Sequence, residues 1–149
     1  MRGMPPDHPP TTELRREDDR MTTTEAPLVT LTVPADVRYF RSVRLAIGGL
    51  ATMVGFDIEA IDDLRIGVDE VCAALAEAGT GEDLRIEVLA VPGRVLRVEG
   101  TVPHGDEQPD EDRFAFSRQI LSVVADSFGY EAQDGQVRCW LERGLAGGA

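Results

Sequence analysis

DDLRIGVDEVCAAL, residues 62–75, carries the strongest helical pattern in the sequence. Its apolar side chains recur at helical spacing, which predicts an amphipathic helix with one buried side. Asp57 is placed to cap the start of this helix, and the glycines at 79 and 81 end it. The predicted buried stripe contains Ile61, Leu64, Val68, Val71, Cys72 and Leu75. A helix with one apolar side must pack against another layer of structure.

A strand and another helix are predicted before this stretch. Residues 28–33 (LVTLTV) are rich in β-branched side chains and alternate, and Pro34 ends the strand. Asp36 is a candidate N-cap for a helix that runs to Gly55. The apolar positions of that helix are Phe40, Val43, Ile47, Leu50, Ala51 and Val54.

Two hairpins and a third helix are predicted after it. Residues 84–91 and 95–102 alternate on either side of the Pro92-Gly93 turn, and Asp134-Gly135 marks a second hairpin whose last strand faces the core. Between the hairpins, residues 103–112 (PHGDEQPDED) have the composition of a loop, and a helix follows over 113–128. The side chains expected in the core are Phe116, Ile120, Val123 and Val124 of that helix and Val137, Cys139 and Leu141 of the last strand.

The order β, α, α, β, β, α, β, β predicts an α+β fold, a two-layer sandwich in which a mixed sheet carries its helices on one face. Residues 27–143 would form this domain. Residues 1–26 contain too few apolar side chains to fold and are expected to be disordered, and residues 144–149 are expected to be flexible. Because the patterned sequence follows it, Met21 is an alternative to Met1 as the start.

The charge balance bears on the class of partner. Acidic residues number 27 and basic residues 15, so the formal net charge is −12 at pH 7. Such a chain would repel a polyanion, which argues against direct binding of nucleic acid. A basic protein partner would be attracted, although a high net charge also serves solubility alone. No apolar run resembles a signal peptide or a membrane span, so we expect a cytoplasmic protein without a membrane partner.

The sequence contains little that could bind a metal. The two cysteines, Cys72 and Cys139, lie in apolar segments and are expected to be reduced, buried thiols rather than a disulfide. His8 lies in the proline-rich tail and His104 in a loop, so no His/Cys cluster has ligand spacing.

The stretch 62–75, in its context, resembles the N-box helix of anti-sigma-factor serine kinases of the RsbW type, within the histidine-kinase-like ATPases of the Bergerat fold. The resemblance extends in element order from about Leu28 to Arg143. In ATP-binding members this helix carries a glutamate that acts as the base and, four residues later, an asparagine that holds Mg²⁺. Glu70 occupies the glutamate's place, which implies a catalytic role, and Ala74 occupies the asparagine's place.

Two further features of that family are missing. A D-x-G-x-G turn does not follow the middle strand, and Asp110, Glu111 and Asp112 replace the glycine-rich turn that would bind phosphate. We therefore expect no cofactor, with ATP and Mg²⁺ required only if the chain is a kinase. Without a metal-binding neighbour, Glu70 is also typical of a residue at the solvent edge of an apolar helix.

The resemblance implies a protein partner on the first helix. Arg38, Arg41 and Arg44 recur every three residues there, which predicts a basic ridge. Arg44 best matches the family's contact arginine and Arg41 is second, although a solvated face explains the spacing equally well. Phe114 and Phe116 are expected in the core. In the alternating pattern of its strand, Trp140 faces the side opposite Cys139 and Leu141. It is therefore either a core residue or a partly exposed anchor for a partner.

Three functions remain open from the sequence. The first is an anti-sigma factor, connected with stress response, that sequesters an alternative sigma factor and is released by an anti-anti-sigma factor. The second is an ATP-dependent serine/threonine-protein kinase that phosphorylates the anti-anti-sigma factor. The third keeps the fold but binds a regulator unrelated to sigma factors. A homodimer is expected from the resemblance alone.

Overall fold

The computed structural model describes residues 26–91, 94–104 and 111–145, and the predicted disordered tail lies outside this range except for Ala26. Within it, five strands form one sheet in the order β1-β2-β3-β5-β4. The strands are β1 (Val29–Val33), β2 (Leu84–Val91), β3 (Val95–Pro103), β4 (Ser127–Gln133) and β5 (Gln136–Gly144), and the helices are α1 (Val37–Met53), α2 (Ile58–Ala78) and α3 (Glu111–Val124).

The predicted α+β sandwich is confirmed. One face of the sheet contributes side chains such as Ile86, Val98 and Cys139 to a single core, to which the buried sides of the helices also belong. Cys72 of α2 and Cys139 of β5 are free, buried thiols, as expected. Among the described residues, no helix has the length and apolar character needed to cross a membrane.

The expectation of a mixed sheet is wrong, because each of the four described strand pairings is antiparallel. Two helices connect β1 to β2, so the chain returns beside β1 in the opposite direction. One helix, α3, connects β3 to β4, which gives these two strands the same direction. β5 lies between them and pairs with both, so no parallel pair forms.

Both predicted helix caps are confirmed. The carboxylate of Asp36 accepts a hydrogen bond from the Arg38 backbone N–H at 2.9 Å, and that of Asp57 accepts one from Ala60 at 2.9 Å. These bonds satisfy backbone donors that have no partner within the first turn of a helix. Gly55 has φ +94°, in the left-handed region that glycine adopts without strain, and it ends the segment of α1.

The prediction for the third helix is wrong in its end and in its buried side. α3 ends at Val124, and Phe128, predicted as its last residue, lies in β4. Phe116 and Val123 are 69% and 80% exposed, although both were expected in the core. The side that faces the core consists of Phe114, Ser117, Leu121 and Val124.

The buried polar residue of this helix explains the error. Ser117 interrupts the true buried stripe and makes the neighbouring stripe of Phe116, Ile120 and Val123 look more apolar. Ser117 is tolerated at 8% exposure because its hydroxyl group has a hydrogen-bond partner on α2. Phe114 is buried as expected and stacks on Tyr130, with the ring centroids 4.2 Å apart.

Candidate functional site

Glu70 lies on the side of α2 that faces α3. Its Oε1 accepts a hydrogen bond of 2.9 Å from the hydroxyl group of Ser117, and the glutamate side chain is half-buried. This bond ties the one family-type carboxylate to the neighbouring helix. It is the arrangement of a residue that joins two helices, and a catalytic role for Glu70 stays a prediction.

Ala74, one turn further along α2, is 8% exposed and offers only a methyl group. Two turns before Ala74, Gly67 allows α3 and β5 to approach α2 closely. A Cβ atom at position 67 would lie 2.6 Å from Leu141 Cδ2, 3.4 Å from Val124 Cγ2 and 3.6 Å from Leu121 Cδ2. Apolar side chains therefore fill the contact between α2 and α3 at this level.

These residues do not fit Mg·ATP. Mg²⁺ prefers oxygen ligands, and Ala74 has none to offer. The first turn of α3 carries Glu111 and Asp112, whose charges oppose phosphate at a helix N-terminus. In the part of the chain that the structure describes, no group of three His, Cys, Asp or Glu residues could hold a metal ion. The predicted absence of a cofactor stays a prediction.

The three arginines of α1 differ in their surroundings. Arg44 forms an ion pair with Asp69 of α2 through a single nitrogen, with Nη1 2.8 and 2.9 Å from the two carboxylate oxygens. Arg38 is bound to Asp36, the cap of its own helix, with Nη2 2.8 Å from Oδ2. Arg41 is exposed and forms no ion pair with any described residue.

All three arginines therefore lie on an accessible helix, but only Arg41 has its charge uncommitted. The side chain of Arg44 is 35% exposed and that of Asp69 is 40% exposed, so both remain within reach of a partner. The pair ties one nitrogen of the Arg44 guanidinium to α2. The partner-binding role of this ridge stays a prediction.

Trp140 lies on the face of the sheet opposite the helices, where the alternation of β5 placed it. The Arg97 guanidinium lies 4.1 Å from the centroid of its ring, a cation–π contact. The Arg97 side chain is only 12% exposed and pairs with Glu99 and Glu142 at 2.9 Å each. Arg138 adds ion pairs with Glu99 and Glu131.

This network was missed at the sequence level, although a signal existed. Arg97 and Glu99 are two residues apart on β3 and so point to the same face of the sheet. Arg138, Trp140 and Glu142 have the same spacing on β5. The pairing of β3 with β5 brings the two sets together on one face. The bond between Glu70 and Ser117 had no such signal, because it depends on the rotation of α3.

Comparison with known proteins gives partial matches in sequence. No family model matches the chain. It is 41% identical over 56 residues to the serine-protein kinase RsbW of Listeria monocytogenes serotype 4a (strain HCC23), which covers 37% of this chain and 36% of the relative. It is 33% identical over 63 residues to the serine-protein kinase RsbW of Bacillus subtilis (strain 168), covering 42% and 39%. The match thus spans well under half the length of these relatives.

Two solved structures share the fold at low sequence identity. The structure of the RsbU and RsbW domains of Rv1364c from Mycobacterium tuberculosis matches with a TM-score of 0.62 and 16% identity, over 80% of this chain and 33% of that one. The SiaB–SiaC complex from Pseudomonas aeruginosa matches with a TM-score of 0.64 and 8% identity, over 89% and 98%. The resemblance predicted from residues 62–75, and the fold class that it implied, are confirmed.

Proposed function

We propose that this chain is an anti-sigma factor of the RsbW type, a binding module that sequesters an alternative sigma factor and is released by an anti-anti-sigma factor. One observation carries the choice of a binding module over a kinase. The N-box helix keeps its place against the sheet, but Ala74 replaces the metal-binding residue and Ser117 engages Glu70. The framework of the family is thereby retained without the ligands that its chemistry requires.

The proposed contact surface is the exposed side of α1 around Arg41 and Arg44. Arg41 offers a guanidinium without an ion pair to any described residue, and Arg44 is anchored through Nη1 to Asp69. Such a group suits acidic side chains of a partner, because it loses little conformational freedom when it binds. Partner carboxylates would add to the pair with Asp69 or replace Asp69.

The kinase is the second candidate, and the names of the sequence relatives favour it: both are called serine-protein kinases. It requires Mg·ATP to bind in spite of the departures at Ala74 and at the start of α3. A regulator unrelated to sigma factors is a third candidate. Sequestration of a sigma factor implies a cytoplasmic location, and homodimerisation belongs to the same proposal.

The proposal is tested by replacing Arg41 and Arg44 with alanine and measuring affinity for the cognate sigma factor. We expect a loss of about 2 to 4 kcal/mol if the contact is buried and below about 1 kcal/mol if it lies at the rim. Added salt should weaken binding of the original chain more than binding of the variant, because only the former keeps the screened attraction.

The matched control is Arg85→Ala, which removes an exposed arginine of β2 that pairs with Glu87 at 2.8 Å. This variant should bind as the original chain does. Melting curves must show that all the variants are folded. Unchanged affinity for a folded double variant, or an equal loss in Arg85→Ala, would contradict the assignment of the α1 surface.

A further inference from the structure

α3 exposes an apolar stripe to solvent. Phe116 and Val123 are seven residues apart, which places them on the same side of the helix two turns apart, and they are 69% and 80% exposed. Ile120 lies between them and is half-buried. These three residues are here called the α3 stripe. Exposed apolar side chains that recur on one helix face are typical of a contact surface.

A row of carboxylates runs along α2 with the same seven-residue spacing, at Asp63, Glu70 and Glu77. Asp63 pairs with Arg143 at 3.0 Å. Glu70 accepts a bond from a neutral hydroxyl group, and Glu77 is exposed. Among the described residues, neither Glu70 nor Glu77 forms an ion pair. Within the described part of the chain, these two carboxylates therefore have no cation in ion-pair contact.

The row and the α3 stripe lie on helices that touch each other. Glu70 contacts Ser117, the residue that follows Phe116, and Gly67 packs against Leu121 and Val124. An apolar stripe thus runs beside carboxylates with which no described arginine pairs. The complementary surface would combine apolar side chains with Lys or Arg side chains flanking them.

The rest of the chain does not supply such a surface. Residues 105–110 (GDEQPD) and 146–149 (AGGA) contain no large apolar side chain. Residues 1–25 contain four, Met1, Met4, Leu14 and Met21; Leu14 and Met21 have the seven-residue spacing, but Glu17 and Asp18 occupy the positions between them where a third apolar residue would be needed. In a symmetric dimer the same patch would meet itself, and that patch brings carboxylates rather than the Lys or Arg side chains that the row would need.

We propose that the α3 stripe and the neighbouring carboxylates of α2 form a second interaction surface, which binds a basic amphipathic helix of a separate protein. The helix would lay its apolar side against Phe116 and Val123 and direct its basic flank to Glu70 and Glu77. This surface is opposite in charge to the arginines of α1. It therefore selects a different partner segment, and it stands independently of whether the α1 partner is a sigma factor.

The test uses a synthetic 18-residue helical peptide with leucines at helical spacing and lysines on the flanks, labelled for fluorescence anisotropy with the full chain. Replacing Phe116 and Val123 with glutamine should weaken peptide binding by about tenfold or more, because both side chains would be central apolar anchors. The matched control replaces Val37 and Met53 of α1, which are 74% and 81% exposed, with glutamine and should leave binding unchanged.

The charge of the row is tested separately. Glu77→Gln should weaken binding of the lysine peptide by about two- to fivefold at low salt, as expected for a contact at the rim. A peptide with glutamate in place of each lysine should not bind. The Arg41→Ala, Arg44→Ala variant should bind the lysine peptide as the original chain does, so failure of this proposal is distinguishable from failure of the anti-sigma assignment.

Several results would overturn the proposal. These are no binding of the lysine peptide to the original chain, an equal loss in the α1 control, or binding of the glutamate peptide with similar affinity. A dimer in sedimentation that dissociates in the Phe116→Gln, Val123→Gln variant would identify a second copy as the occupant. A spin label on Gln119→Cys that broadens the amide signals of residues 1–25 within a monomer would identify the tail.

Discussion

Cys72 and Cys139 show what burial does to a titratable group. Burial is the main cause that raises the pKa of each thiol to about 12, and neighbouring Asp69 adds to it for Cys72. A thiol whose pKa is raised in the folded state makes its full contribution to stability at pH values below 9.0, the ordinary pKa of the group. That contribution is lost as the pH rises from about 9 towards 12.

We expect both thiols to resist a thiol-specific chromogenic reagent at about pH 8, because the reactive species is the thiolate. In denaturant both thiols should react within the mixing time. The free energy of unfolding should also fall as the pH rises above about 9. Rapid labelling of a folded sample would contradict the burial of these residues.

The pKa of the Asp36 carboxyl group shifts in the opposite direction. The side-chain hydrogen bond from Arg38, followed by the bond from the Arg38 backbone N–H, lowers the pKa of the Asp36 carboxyl below its ordinary 3.8. A depressed pKa means that this stabilisation is complete above the ordinary value and is lost as the pH falls through the folded value.

Asp36→Asn keeps a capping side chain but removes the charge. The original chain should be the more stable of the two near neutral pH, and the difference between them should narrow as the pH falls below 3.8. Urea midpoints at several pH values measure this. A gap that stays constant down to about pH 2 would show that the charge of Asp36 contributes nothing to the cap.

Among the elements, α2 and its contacts were predictable and the rotation of α3 was not. The stripe from Leu64 to Leu75 is continuous, so one orientation buries it and the sequence predicts that orientation. α3 has two candidate stripes, and the choice between them depends on Gly67 and Glu70 of another helix. Which side of α3 is buried is therefore decided by its tertiary contact with α2, and the spacing of apolar residues within α3 does not reveal it.

Two glycines test how helix packing depends on position. Gly67→Ala would place a Cβ atom 2.6 Å from Leu141 Cδ2, so we expect a loss of about 1 to 3 kcal/mol from overpacking, less a gain of up to about 1 kcal/mol in helix propensity. Gly49→Ala on α1 meets nothing within 4 Å and should be stabilising by up to about 1 kcal/mol.

Chemical denaturation of the two variants beside the original chain measures both effects. The two substitutions are chemically identical, so the difference between them isolates the contact of α2 with α3 and β5. Gly67→Ala that matched Gly49→Ala in stability would show that these elements do not pack as closely as described.

At the scale of the whole molecule, the layers followed from the order of elements but the strand directions did not. Hairpins fix the pairings β2 with β3 and β4 with β5, because short turns leave no alternative. The placement of β5 between β3 and β4 is a long-range choice. The face that carries Arg97 and Trp140 became predictable only once that pairing was known.

The decisive property of the whole molecule is whether a fold of this class still binds nucleotide. Glu70 is held by Ser117, and Ala74 lacks an oxygen. One turn before Glu70, the contact at Gly67 is filled by Leu121, Val124 and Leu141. We therefore expect titration calorimetry with ATP and Mg²⁺ to give no binding in the micromolar range. An RsbW kinase that retains the asparagine is the positive control.

Restoring the asparagine alone should not restore binding. Ala74 is 8% exposed, so Ala74→Asn must either bury an amide without partners or displace its neighbours, and we expect a loss of about 1 to 3 kcal/mol in stability. Adding Ser117→Ala would release the Glu70 carboxylate but leave the apolar contact with α3 in place.

Heat of binding from the original chain, or transfer of labelled phosphate to a partner serine, would favour the kinase. Binding that appears only in the Ala74→Asn variant would show that a single missing oxygen, and not the closed contact between α2 and α3, prevents this chain from binding ATP.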